Sequence, residues 1–172
     1  CPTLSGPPIA SGNMGELWID PTNNDLLIKK FKTPHNRTES QLLIELNSLL
    51  YEIRPSAKET LKQNFAWPLN LYGTTSSITA IQIPLAPKSF FRDIKMLGDT
   101  DTKLMTLQYL VDKDWWQSAV VETREPKLSL EDRIELSHHM LTTLLTLWES
   151  GGVYGDFSFL NLIWSTEPTP RI

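Results

Sequence analysis

Cysteine is nearly missing from this chain: Cys1 is the only one in 172 residues. An intrachain disulfide is therefore excluded. The histidines number three, with His138 and His139 adjacent, so no Cys/His set has the spacing of a zinc site. An excess of positive charge is missing too. Sixteen Lys and Arg stand against twenty Asp and Glu, for a formal charge of −4, and no basic block occurs, so the electrostatic footprint of a nucleic-acid binder is lacking. No apolar run reaches the roughly eighteen residues needed to span a bilayer, and the start lacks the basic-then-apolar order of a leader. These absences lead to the expectation of a soluble, cytoplasmic protein with no nucleic-acid and no membrane partner. With 40% hydrophobic and 21% charged residues, the composition is that of a globular chain filling one domain or two small lobes.

The first half reads as strands and one main helix. Residues 1–8 are rich in Pro and Gly and form an irregular lead-in. Ile9 to Asp20 has the pattern of strand, glycine turn, strand, with Gly12 and Gly15 in the turn; residues 20–25 form a second turn, and Leu26-Leu27-Ile28-Lys29-Lys30-Phe31 a short apolar strand. Two glycines in such a turn let backbone N–H groups approach phosphate oxygens without interference from Cβ, and they also occur in ordinary hairpin turns. Lys29 and Lys30 face opposite sides of the strand, and either a ligand-binding ammonium or a pair of solvated edge lysines fits the pattern. Thr38-Glu39-Ser40-Gln41 has the form of a capping box. Leu42, Leu46, Leu49 and Ile53, with Leu43 and Leu50 beside them, keep helical spacing until Pro55, which leaves Glu45 at the margin of the apolar stripe and Glu52 as its competitor. A short helix over 56–63, strands near 69–73 and 77–84, and a proline-bracketed segment Pro84-Leu85-Ala86-Pro87 follow.

In the second half, residues 88–95 and 103–112 are expected to be helical, around the turn-like Gly98-Asp99-Thr100-Asp101. Ser129 caps a long helix in which Leu130, Ile134, Leu141, Leu145 and Trp148 form a broad apolar face, and Gly151-Gly152 ends it. The stretch Val153 to Trp164 then places Asp156 and Asn161 five positions apart. A carboxylate there can orient a hydroxyl nucleophile and take its proton, while an Asn oxygen helps hold Mg2+ on a nucleotide's phosphates; the same two residues also serve as turn-formers.

Taken in order, these residues resemble the motifs of the protein-kinase-like superfamily, including its bacterial Ser/Thr members. Tyr154-Gly155-Asp156 with Asn161 is similar to H-R-D-x-x-x-x-N, with Tyr in place of His. Gly12 and Gly15 match the last two glycines of G-x-G-x-x-G, with Ala10 in place of the first. Leu26-Leu27-Ile28-Lys29 resembles the Val-Ala-Ile-Lys strand, and Glu45 stands where the helix acid that holds the lysine belongs. The resemblance implies an α+β fold with an antiparallel-sheet N-lobe carrying one main helix over 1–86, and a partial, mainly helical C-lobe over 87–172. It implies an ATP-dependent phosphotransferase with ATP and Mg2+ as cofactors and a protein Ser/Thr or small hydroxyl compound as acceptor. Asp156, Lys29 and Glu45 would be catalytic, Gly12, Gly15, Lys29, Leu85 and Ala86 would bind the nucleotide, and Asn161 would hold the metal.

Two departures belong to the same comparison. Ser158 stands where many protein kinases carry a lysine, and no Asp-Phe-Gly triplet occurs anywhere in the chain. The expectation is an incomplete piece of a kinase-like protein, inactive by itself. Two alternatives carry the same residues: a pseudokinase that binds nucleotide without turnover, and a small-molecule kinase of the aminoglycoside or choline type.

Overall fold

Asp20-Pro21-Thr22-Asn23 reverses the chain because the Asp20 carboxylate accepts hydrogen bonds from the Thr22 N–H (2.8 Å) and hydroxyl (2.6 Å), an Asx-type turn that proline can enter without losing a needed donor. It joins β2 (Gly15–Asp20) to β3 (Asn23–Phe31). The short β1 (Ala10–Ser11) pairs on the far side of β2, and β4 (Asn70–Thr74) and β5 (Ser77–Pro84) form a second hairpin. All pairings are antiparallel and the order is β1-β2-β3-β5-β4. This computed structural model describes residues 2–96, 99–111, 129–155 and 158–165. The chain divides into two compact units, Cys1–Ala86 and Pro87–Ile172, and the fold class is mixed α+β. Among the described residues no helix is long and apolar enough to cross a membrane.

Helix α1 (Arg37–Glu52) starts earlier than its sequence suggests. The capping box is made by Asn36 and Glu39, each side chain accepting from the other's backbone N–H. Asn36 outcompetes Thr38 because its own extended backbone lets the amide oxygen reach the third helical N–H. The packed face is centred on the Leu43/Leu50 side of the expected stripe and not on Leu42/Leu46. Leu43 and Ile44 pack on a cluster of Phe31, Ile78 and Ile81, and Leu50 is buried, whereas Leu42 is 60% and Leu46 37% exposed. Two polar anchors set this rotation. Ser40, fully buried, accepts from the Ile78 N–H (3.0 Å) and donates to the His35 carbonyl (3.3 Å), and Asn47 donates to the carbonyls of Pro68 (2.7 Å) and Leu69 (3.3 Å). Buried backbone groups require partners, so these bonds outweigh the preference of one leucine row over its neighbour. Pro55 opens α2 (Pro55–Asn64) at its first position, where its missing N–H costs nothing.

In the second unit, strand replaces most of the helix expected at 88–95 and the start of the one expected at 103–112, which among the described residues keeps helix only at Gln108–Val111. After one 3-10 turn at Lys88–Phe90, the chain forms a hairpin of β6 (Phe91–Met96) and β7 (Asp99–Leu104), then a single turn of helix α3 (Gln108–Val111). Cross-strand pairing decides for strands: Thr102 donates to Asp93 (2.6 Å) and Ile94 is 1% exposed. The β-branched Thr100 and Thr102 suit a pleated, half-wet hairpin better than a helix. Residues 105–107 pair with 162–164 through the Trp164 N–H to Met105 carbonyl bond (2.9 Å) and the Leu107 N–H to Leu162 carbonyl bond (2.8 Å), burying Met105, Leu162 and Trp164. The long helix α4 (Leu130–Glu149) has the expected Ser129 cap, closed by Asp132.

Candidate functional site

Residues directly opposite one another in an antiparallel sheet share a face. The row Leu17, Lys29, Ile81, Leu71 crosses β2, β3, β5 and β4, and Ile81 belongs to the cluster on which Leu43 and Ile44 of α1 pack. Lys29 therefore lies on the helix side of the sheet, half-buried, while Lys30 lies on the other side, exposed and opposite Glu16. The Lys29 ammonium is 6.0 Å from the Phe31 ring centroid, a distance at which cation and ring still attract. Among the described residues no carboxylate forms an ion pair with it.

Gly12 and Gly15 close the β1–β2 turn through the Gly12 N–H to Gly15 carbonyl bond (2.9 Å), and Lys32 ties strand β3 to the same turn by donating to the Met14 carbonyl (3.2 Å). Gly15 is paired with Phe31, two residues beyond Lys29, so turn and lysine occupy the same end of the sheet. The two glycines have different reasons to be there. A Cβ on Gly15 would stand 2.5 Å from the Lys30 carbonyl oxygen, a packing demand of the sheet itself. A Cβ on Gly12 would meet only the Gly15 carbonyl oxygen, at 4.0 Å. The space above Gly12 is open.

Glu45 and Lys29 are not brought together. The rotation of α1 that buries Leu43 and Ile44 turns Glu45 outward, where it is exposed and accepts from the Gln41 amide (3.1 Å); Glu52 is exposed as well. In the connector, the Leu85 N–H donates to the Asp25 carbonyl (2.9 Å), so of the two donors expected for a base, Leu85 is already engaged and Ala86 is left. Pro84 and Pro87 have no N–H to offer. Asn161 sits in a turn, exposed, its N–H donating to the Ser158 carbonyl (3.1 Å) and its carbonyl accepting from the Tyr154 hydroxyl (3.4 Å). Asp156 lies outside the described residues. Among the described residues no cluster of three or more His, Cys, Asp or Glu side chains could hold a metal.

One polar group escaped the sequence reading. On the sheet face opposite Lys29, Asp20 (1% exposed) accepts from the Gln82 amide (2.5 Å), and Gln82 accepts from Asn70 (2.5 Å). Its signal was Gln82 itself, a long polar side chain between Ile81 and Ile83. The Thr22 hydroxyl and N–H, then the Gln82 amide, hold the Asp20 carboxyl below the ordinary carboxylate range, against the opposing effect of burial. Burial, aided by the negative charge of Asp20, pushes the Tyr72 phenol up. A carboxyl whose folded pKa is lowered stabilises the fold above its unfolded pKa of 3.8, and that contribution disappears as pH falls through the folded value. We expect the urea midpoint to drop between about pH 5 and about pH 3, and to drop less in Asp20→Asn; equal slopes for the two proteins would remove Asp20 as the cause.

No protein-family model matches the chain, and no curated protein matches it. Fold and site together define an α+β protein whose antiparallel sheet brings to one end a glycine turn and a lysine that has no carboxylate partner among the described residues.

Proposed function

We propose that this chain is the nucleotide-handling part of an ATP-dependent phosphotransferase of the protein-kinase-like type, with the Gly12–Gly15 turn and Lys29 taking the phosphates of ATP. The observation that carries the reading is the Lys29 ammonium: half-buried, on the helix side of the sheet, without a carboxylate among the described residues, at the end where the glycine turn lies. A cation left without its own anion gains most from a ligand that brings one. The open space above Gly12 suits a phosphate held by backbone N–H groups. ATP supplies the transferable phosphoryl group and Mg2+ neutralises its charge. By the sequence resemblance alone, Asp156 would orient a protein or small-molecule hydroxyl for the transfer and Asn161 would hold Mg2+.

A second reading, nucleotide binding without turnover, is favoured by Glu45, which is bonded to Gln41 and leaves Lys29 without the acid that would fix it. Both readings require nucleotide binding. The unfolding temperature of the 172-residue chain should rise with MgATP and saturate, because a ligand of the native state stabilises it by mass action. Gly12→Val should fold normally, given the open space, and lose most of that rise. No rise in the parent protein overturns both readings, and an undiminished rise in Gly12→Val removes the glycine turn from the site. Turnover of γ-phosphate separates the enzyme from the binding module.

A further inference from the structure

We propose that the uncovered side of α4 is a docking surface for a separate amphipathic helix carrying lysine or arginine along one flank. Two independent features of α4 point to such a partner. First, among the described residues only one side of the helix is covered: Leu136, Thr143 and Leu147 are buried, while Leu130, Ile134, Leu141, Leu145 and Trp148 are 73%, 58%, 62%, 50% and 68% exposed. At about 100° per residue the five exposed side chains fall within one narrow stripe. The spacing is that of helix-in-groove anchors, where residues three, four and seven apart take up a partner's ridge. Five large apolar side chains in one row exceed the scattered exposure of an ordinary surface.

Second, the stripe has a charged margin of one sign. Glu131, Glu135 and Glu149 are exposed and lie along the same edge. The helix as a whole carries four carboxylates, with Asp132, against one guanidinium, Arg133. A second copy of α4 would double that negative charge and, in an antiparallel pair, set the glutamate margins against each other. An anionic membrane leaflet is disfavoured by the same charges. A helix with an apolar ridge and a basic flank satisfies both features, covering the leucines and pairing with the glutamates.

The test uses a labelled helical peptide of about eighteen residues, long enough to be helical when bound, with leucines at i, i+4, i+7 and i+11 and lysines along one flank. Its twin carries glutamates in place of the lysines. By anisotropy against the 172-residue chain, the lysine peptide should bind at least about tenfold more tightly than its twin, and raised salt should weaken it. The double variant Leu141→Ser/Leu145→Ser should lose at least about tenfold in affinity while its unfolding midpoint stays at the parent value, because both leucines are already exposed. Glu131→Gln/Glu135→Gln should lose affinity and salt dependence together. Equal binding of the two peptides, full affinity in the leucine variant, or self-association that the leucine variant abolishes would each overturn the proposal.

Discussion

Gly73→Ala should destabilise the first unit by about 3 kcal/mol or more, the largest loss expected of any single methyl group in it. Gly73 has φ +128, a conformation that L side chains rarely adopt, at the irregularity where the register of β4 and β5 shifts between Tyr72 and Gly73. A methyl group there would drive into the Ser77 carbonyl oxygen and come within 3.0 Å of the Ile78 Cα and 3.1 Å of the Thr79 nitrogen. These are backbone atoms of the neighbouring strand and cannot swing aside as a side chain would. Dihedral strain of about 1–3 kcal/mol and overpacking of similar size therefore add. For a unit of this length each kcal/mol is about 4–8 °C of melting temperature, so a fall well beyond 10 °C is expected. Gly151→Ala is the control. Its φ is +88, but nothing lies within 4 Å of the added methyl, so only the dihedral cost remains. Equal losses in the two variants would show that crowding against β5 contributes nothing.

Under the proposed nucleotide-binding reading, Lys29→Met should raise the dissociation constant for MgATP about a hundredfold, while Lys30→Met leaves it within about twofold. A charge-assisted bond to phosphate is worth up to about 3 kcal/mol, and each 1.4 kcal/mol is a factor of about ten. At MgATP about a hundred times the parent dissociation constant, ligand stabilisation should fall from about 2.7 kcal/mol to about 0.4 kcal/mol in Lys29→Met. Methionine keeps the length and apolar stem of lysine beside Phe31, so packing on the helix side is preserved. The two neighbours differ in little but direction: Lys29 shares its face with Ile81 and Lys30 shares its face with Ala80. Matching losses in both variants would point to general electrostatic attraction, and no loss in Lys29→Met would take the lysine out of the site.

The hairpins and turns of the first unit are legible from residues alone, because turn chemistry is local. Asp20-Pro21-Thr22-Asn23 closes its own hydrogen bonds, and the alternation in Ser77–Pro84 has one period whichever neighbours it meets. The long helix after Ser129 is legible for the same reason, as its cap and its apolar spacing lie within one segment. The hairpin at 91–104 is not. Its strands are short, mixed in character and held by cross-strand partners such as Asp93 and Thr102, nine residues apart, which no local propensity reports.

The candidate site divides along the same line. Residue types and order, from Gly12 and Gly15 through Lys29 to Asn161, are properties of the sequence by itself, as is the alternation that puts Lys29 and Lys30 on opposite sides of a strand. Which of those sides meets α1, which of the α1 leucines pack, and whether Glu45 faces Lys29 were decided only in three dimensions. The reason is that a helix on a sheet keeps its period under rotation. Ser40 and Asn47, by bonding to backbone groups far away in the chain, select one rotation and turn Glu45 toward solvent.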